Sequence, residues 1–458
     1  MKVNDLLNVE VESIALGGSG LARVEGRVVF VEGGLPGDRA EARVRRVRRG
    51  YAEARLERLA DRSPLRVSAP CPHVPRCGGC RFQELDYAEQ LRQKERQVIE
   101  TLQHLGGIAQ PPVKPIVPAP ELFHYRNKME FSFAPGPEGA AILGLHERGT
   151  FDRVFALETC LLPSALTVEI VKLTQRFAIT HGWRAYHPSR HEGAVRFLTI
   201  RHLPHTSQCA VHLISASGDL AGLDEWARAV AALSHEVRSI TLGLTRSRAN
   251  VAFAEEERVL RGEAFIVERL LGLEFEAGSN SFLQTNSRQA EALYAAALRC
   301  VDAGPAEAVL DLYCGTGTLT LLLARAVREV VGVESVPEAV EAARRNARRN
   351  ALEHARFECG EARAVLRQWA RGERAGAIRP AVVIVDPPRA GLHPRVVART
   401  CELGPRRVVY VSCNPATLAR DLKDFALGGY RLAELEPFDM FPHTPHIECV
   451  ARLEPHAL

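Results

Sequence analysis

Residues 309–318 read Val-Leu-Asp-Leu-Tyr-Cys-Gly-Thr-Gly-Thr, and this stretch decides the fold of the surrounding chain. Val309 to Leu312 is a short apolar strand candidate, Gly315 and Gly317 supply a turn, and Thr318 to Val327 has the composition of a helix. Further β-branched runs at Val330–Val333, Val382–Val385 and Val408–Val411 are separated by helical stretches. Their apolar residues are continuous, not alternating, which predicts a parallel sheet covered by helices on both faces. The reading is an α/β domain over 277–458.

The turn at 313–317 suits close approach of a ligand to the backbone, because glycine has no Cβ and tolerates positive φ. Glu334 closes the following strand, where a carboxylate can accept hydrogen bonds from ribose hydroxyls. The turn has neither the Gly-x-Gly-x-x-Gly spacing of a dinucleotide site nor the Lys-Ser/Thr pair of a triphosphate loop. A cofactor without phosphate, S-adenosylmethionine, fits both absences; another adenosine-type cofactor or a purely structural turn stays open. Glu361, just past the run Arg356–Cys359, is placed to reach an adenine edge or to be a solvated loop carboxylate.

In a parallel sheet, Asp386-Pro387-Pro388-Arg389 and Ser412-Cys413-Asn414-Pro415 emerge at the same carboxyl edge as the glycine turn. Cys413 is then a candidate nucleophile, against the alternative of a buried structural cysteine. Thiolate addition to C6 of a uracil would make C5 reactive enough to take a methyl group. The adduct must next lose its C5 proton. His446 to Leu453 reads as a final strand, and if it runs antiparallel, Glu448 near its start lies at the catalytic edge as a base. Asp386 could accept from uracil N3–H or orient the loop that does so.

The 458 residues imply two or three domains. No apolar run can span a bilayer and no secretory pattern opens the chain, so the cytoplasm is expected, with no membrane association. Lys and Arg total 59 against 55 acidic residues, too even a balance to identify a polyanionic partner. The distribution says more: between Arg39 and Arg58 there are eight arginines and three glutamates. Val9 to Leu59 has the alternation and glycine turns of a small closed barrel, so 1–62 is read as a β-barrel whose Arg43, Arg45, Arg46, Arg48 and Arg49 face RNA or simply solvent. The central segment, 63–276, mixes strand-like runs such as Met129–Phe133 and Val251–Ala254 with helices near Leu166–His181 and Leu220–Ser234, an α+β pattern. A helix is expected over Asp86–Leu105 and a linker over the five prolines of 111–120. The eleven cysteines are odd in number, which argues against a disulfide framework. Cys71, Cys77 and Cys80 are close enough to share an inorganic centre, and spacing alone leaves zinc and iron–sulfur equally open, with no metal as the third reading.

Taken together, Cys71-x5-Cys77-x2-Cys80, Ser281-Phe282-Leu283-Gln284-Thr285-Asn286, the 311–317 turn, Asp386–Gly391, Tyr410–Asp421 and His446–Leu453 resemble the RumA/TrmA-type RNA uracil-5-methyltransferases. Most similar are those with a TRAM domain and an iron–sulfur cluster that act on 23S rRNA. The resemblance implies a Rossmann-like class I methyltransferase domain, an OB-like TRAM barrel at the N-terminus, and a central domain holding a [4Fe-4S] cluster on Cys71, Cys77, Cys80 and Cys160. It implies that Gln284, Tyr313, Gly315, Glu334, Glu361 and Asp386 belong to the methyl-donor site, that Cys413 is the nucleophile and Glu448 the base, and that Phe282 lies by the flipped base. By residue type alone Phe282 reads as core. In such enzymes the Asp86–Leu105 helix packs on the catalytic domain. The expected substrate is structured RNA, 23S rRNA first, with transfer RNA, RNA cytidine-5 methylation and an inactive RNA-binding or assembly factor as alternatives. No obligate protein partner is expected.

Overall fold

The computed structural model describes residues 1–136, 140–373 and 375–456. Strands β1 (Leu6–Ile14), β2 (Gly20–Val24), β3 (Arg27–Glu32), β4 (Arg39–Val47) and β5 (Tyr51–Asp61) close a barrel in the order β1-β2-β3-β5-β4. Its interior is lined by Val9, Ala22, Val29, Val31, Ala40, Ala42, Val44, Ala52 and Ala54, small residues at alternating positions that let so short a barrel close and leave no free edge. The same alternation turns the β4 arginines outward.

The barrel is fastened to the rest of the chain by buried polar contacts. Arg66 grips Asp38 through Nε and Nη2, and Gln93 and Gln97 bond the backbone of Ile14. These glutamines sit on α1 (Tyr87–His104), whose N-terminus Asp86 caps by accepting from Glu89 N–H. Val98 and Leu102 of α1 pack in one core with Leu310, Leu312, Val383 and Phe425, so this helix belongs to the catalytic layer, far from it in sequence. The proline-rich 111–120 segment is not a free linker. It runs along β20 (Tyr430–Phe438): Lys114 N–H and Val117 N–H donate to the carbonyls of Leu435 and Pro437, and Asp439 N–H returns a bond to Val117. Proline supplies few donors, so the segment covers a sheet edge without becoming a strand that others could join.

The central unit is a seven-stranded sheet in the order β12-β11-β10-β9-β6-β7-β8. Its strands are β6 (Lys128–Pro135), β7 (Ala141–His146), β8 (Val154–Ala156), β9 (Val195–Leu203), β10 (Gln208–Ser215), β11 (Val237–Leu244) and β12 (Glu256–Gly262), with α2 (Ala165–Thr180) and α3 (Leu223–Ala231) against it. Val251–Ala254, expected as a strand, is irregular; the edge strand follows it, with exposed polar side chains that carry no apolar alternation. The hairpin β13 (Ile266–Leu270) and β14 (Leu273–Ala277) packs through Leu270 and Phe275 into the catalytic core beside α4 (Ser287–Val301).

The catalytic sheet has the order β17-β16-β15-β18-β19-β21-β20. β15 (Ala308–Leu312), β16 (Glu329–Glu334), β17 (Arg356–Cys359), β18 (Val382–Val385) and β19 (Arg407–Ser412) are parallel, and β21 (Glu448–Pro455) enters antiparallel between β19 and β20. α5 (Thr318–Ala324), α6 (Pro337–Arg349), α7 (Ala362–Ala370), α8 (Pro394–Leu403) and α9 (Pro415–Leu427) connect the strands. Apolar clusters lie on both faces, as continuous apolar strands require. No helix among the described residues is long and apolar enough to cross a membrane.

Candidate active site at the carboxyl edge of the parallel sheet

The turn after β15 is built by its neighbours. Tyr313 N–H and Cys314 N–H both donate to Val333 O, which holds Tyr313 at φ +66°. Gly317 at φ +85° begins α5, and a Cβ there would lie 3.0 Å from Ala343 Cβ and from the Phe357 ring. Gly315, at φ +54°, differs: a Cβ would meet nothing within 4 Å, so the space before the turn is open. Glu334 faces that space, accepting from Gly315 N–H at 3.1 Å with one oxygen and from the Ser335 and Val336 amides with the other. Asp311, fully buried beneath, accepts from Thr320 Oγ1 at 2.6 Å, and burial pushes its carboxyl up to about 7. Burial likewise raises the Tyr313 phenol to about 12, with exposed Glu361 at the start of α7 adding to the effect. Gln284 is buried, in a loop whose backbone is bonded to Asn127.

Cys413, Glu448 and Asp386 come together. Ser412 pairs with Cys449 across β19 and β21, so the ladder sets the thiol and the base next to each other. Burial, with the neighbouring Asp386 carboxylate adding to it and Arg389 opposing, pushes Glu448 up to about 8. Burial alone raises Asp386, at the floor of the cleft, to about 7. The Cys413 thiol is pushed up to about 11 by burial and by the two carboxylates, while the Arg389 guanidinium pulls it down. In the sequence Arg389 stands out only as part of the Asp386–Gly391 string. Its carbonyl accepts from Asn414 Nδ2 and Thr417 Oγ1, tying the 386–391 loop to the nucleophile loop, and its Nη2 reaches His446 Nδ1 at 3.4 Å. Asp421, buried on α9, accepts from Tyr410 OH and Leu392 N–H and completes the tie.

The segment from Asp439 to His446 leads into Glu448 and is clamped by α1. Lys94 and Asp439 form a fully buried ion pair at 2.5 Å, Lys94 also donates to Phe441 O, and Gln90 bonds His443 through backbone and ring. Sequence gives no sign of these clamps, since periodicity marks Lys94 and Asp439 as ordinary charged residues in separate elements.

Cys71, Cys77, Cys80 and Cys160 line one cavity of about 690 Å³, with Ser281, Phe282 and Leu283 on its other side. Burial raises the Cys80 thiol to about 11 and that of Cys160 to about 12, and the neighbouring thiols add to both. Phe282 is 68% exposed, which overturns its reading as a core residue. On the barrel, Arg45, Arg46, Arg48 and Arg49 are exposed, whereas Arg43 is half-buried and engaged with Glu57 and Asn4 O. Arg46 lies 3.8 Å from Glu53; among the described residues no carboxylate pairs with Arg45, Arg48 or Arg49.

The profile of the tRNA (uracil-5-)-methyltransferase family matches residues 86–455, and that of the TRAM domain residues 2–56. A relative from Gloeobacter violaceus, described as an uncharacterized RNA methyltransferase, is 39% identical over 98% of this chain and 96% of its own. One from Bacillus cereus with the same description is 38% identical over 98% and 97%. The solved Pyrococcus abyssi tRNA (uracil-54, C5)-methyltransferase in complex with S-adenosyl-L-homocysteine is 30% identical, covers 98% of this chain and 100% of its own, and superposes with a TM-score of 0.77. With a barrel matching the TRAM domain joined to this sheet and its carboxyl edge, the chain belongs to the tRNA (uracil-5-)-methyltransferase family of RNA methyltransferases.

Proposed function

We propose that this chain methylates C5 of a uridine in structured RNA, with S-adenosylmethionine as methyl donor and Cys413 as covalent nucleophile. The observation that carries the reading is the convergence of Cys413, Glu448 and Asp386 on neighbouring strands, in front of an open glycine turn. Donor binding by Gln284, Tyr313, Gly315, Glu334, Glu361 and Asp386 is supported by the grouping of Tyr313, Gly315, Glu334 and Glu361 at the turn, and by the S-adenosyl-L-homocysteine held by the P. abyssi enzyme. The donor supplies an electrophilic methyl group on a sulfonium, which leaves as a neutral thioether.

The chain's own residues do the rest. The Cys413 thiolate forms a bond to C6 and breaks the C5=C6 double bond, moving charge toward O4 and making C5 the nucleophile. Arg389 favours the thiolate. After C5 has taken the methyl group, Glu448 accepts the C5 proton; the double bond re-forms and the C6–S bond breaks, returning the thiolate. Asp386 orients the uracil edge. Phe282 offers a ring to a base drawn out of its stack, and the arginines of the barrel hold phosphates.

Cys71, Cys77, Cys80 and Cys160 are the residues that would hold a [4Fe-4S] cluster, a reading supported by their spacing and by their lining one cavity, although among the described residues no group of three or more metal-ligating side chains is arranged to hold a metal ion. The methylation needs no electrons from such a centre, so its part would be to tie 71–80 to the central sheet. Anaerobically purified protein should be brown, absorb near roughly 400 nm and contain iron with acid-labile sulfide. Colourless protein with stoichiometric zinc would overturn the cluster.

Two RNA classes compete. The resemblance carried by a TRAM barrel together with the four cysteines favours 23S rRNA, and the full-length likeness to a transfer-RNA enzyme favours tRNA. Either substrate makes the cytoplasm the working compartment. Labelled-methyl transfer to total cellular RNA lacking the modification, followed by nucleotide mapping, decides. Label in 5-methyluridine supports the reaction and its RNA fraction names the substrate; 5-methylcytidine or no transfer would overturn it.

A further inference from the structure

Phe282 is not the one large aromatic exposed on this part of the surface. Phe253, 51% exposed, lies on the irregular segment before β12, and the two segments are bonded to each other. Asn280 Nδ2 donates to Ala254 O at 3.2 Å, Ser279 Oγ to Glu257 at 2.7 Å, and Arg201 Nη2 to Ser281 O at 2.7 Å. The 245–254 loop is also held from below. Arg196, 3% exposed, donates to Ser247 O and Ala249 O, and its guanidinium lies 4.3 Å from the Tyr186 ring centroid. A buried arginine spent on two loop carbonyls fixes the loop, so its outward side chains are presented in a set position. They include Arg246, Arg248, Asn250, Val251 and Phe253. The nearby acids are engaged: Glu256 with Arg246, and Glu257 with Ser279 and His212. Among the described residues Arg248 pairs with no carboxylate.

We infer that loops 245–254 and 278–283 form one platform for unpaired RNA next to the target nucleotide, with Phe253 stacking a flanking base and Arg248 meeting its phosphate. An unpaired stretch is the occupant the chemistry selects. An exposed ring stacks on any base that is free of its helix, and an adjacent arginine reads the backbone, whereas a duplex hides its base faces. The platform is continuous with Phe282, the ring proposed above to meet a base drawn out of its stack. The inference rests on the RNA reading above but not on the methyl-transfer chemistry.

The test is equilibrium binding of a short oligouridylate and of a matching duplex to full-length protein, with Phe253→Ala, Phe253→Trp and Arg248→Glu. Phe253→Ala and Arg248→Glu should each weaken oligouridylate binding by about tenfold, with Phe253→Trp near the parent and duplex affinity little changed. Turnover on the mapped RNA should show the same loss in KM, with kcat and S-adenosylhomocysteine affinity retained. Unchanged oligouridylate affinity in Phe253→Ala and Arg248→Glu would overturn the platform while leaving the methyltransferase reading intact. If no RNA is methylated but these binding differences appear, the platform stands and the reaction falls. A loss rescued by neither Trp nor high RNA would mark Phe253 as structural and overturn its stacking role.

Discussion

Asp386 and Glu448 ionise in the folded protein at about 7 and about 8, well above the carboxyl values of an unfolded chain. Such a raised group does no harm below the unfolded value, and withdraws stability as pH climbs from there through the folded value. Asp386→Asn and Glu448→Gln should therefore match the parent Tm at about pH 4 and exceed it at about pH 8. A lower Tm at the higher pH would mean that the cleft stabilises these carboxylates. Their reactive roles separate by order of events. Cys413→Ala should form no RNA adduct, whereas Glu448→Gln should accumulate a denaturant-resistant adduct that carries the transferred methyl, because elimination waits on loss of the C5 proton. Mass spectrometry of the nuclease-trimmed adduct checks both; an adduct on another residue would refute the assignment. The turn glycines separate in the same manner. Gly315→Ala should cost roughly 1 kcal/mol of strain yet abolish most S-adenosylhomocysteine binding by calorimetry, since its methyl enters the open space. Gly317→Ala should chiefly lower Tm, because its methyl meets Ala343 and Phe357.

At the scale of elements, α1 acts as a clamp on the strand that carries the base. Lys94→Met would leave Asp439 buried and unpaired, a loss of about 3–5 kcal/mol, and adding Asp439→Asn should recover part of it. Urea unfolding of the two single variants and the double variant measures this; an additive double variant would show that the pair is not coupled. The helix itself was legible in sequence from its apolar spacing, and its partner only through the family resemblance: a period names a buried face and says nothing of what covers it. Strands β15, β16, β18 and β19 were legible for the opposite reason, because residues apolar on both faces have few other uses. β12 was missed since an exposed edge strand, Glu-Glu-Arg-Val-Leu-Arg-Gly, has no pattern to detect. The meeting of Cys413, Asp386 and Glu448 could be read from strand direction alone, whereas the pairing of Arg389 with His446 could not, as it joins side chains of separate loops.

For the molecule as a whole, the barrel is not a loosely tethered module. Its Ile14 backbone is bonded by α1, Arg81 donates to Gly17 O, and a Cβ on Gly18 would lie 3.0 Å from Pro445. Deleting it would strip partners from buried glutamines, so charge reversal is the cleaner probe. Arg45→Glu, Arg48→Glu and Arg49→Glu should weaken RNA binding and flatten its salt dependence by about 0.7–0.9 in log–log slope for each phosphate no longer neutralised. Donor affinity should not change. An unaltered slope would show that these arginines face only solvent.

The placement of α1 also imposes an order in time. A ribosome delivers residues 87–104 long before 309–453, so Val98 and Leu102 leave it with no sheet to cover, and Lys94 must keep its water until Asp439 is made. The N-terminal half can close its barrel early, yet its helix has to be held open for strands still to come. A chain stalled before β15 would thus carry a finished barrel, an unsatisfied helix and neither nucleophile nor base, and would offer an exposed apolar stripe to chaperones and proteases.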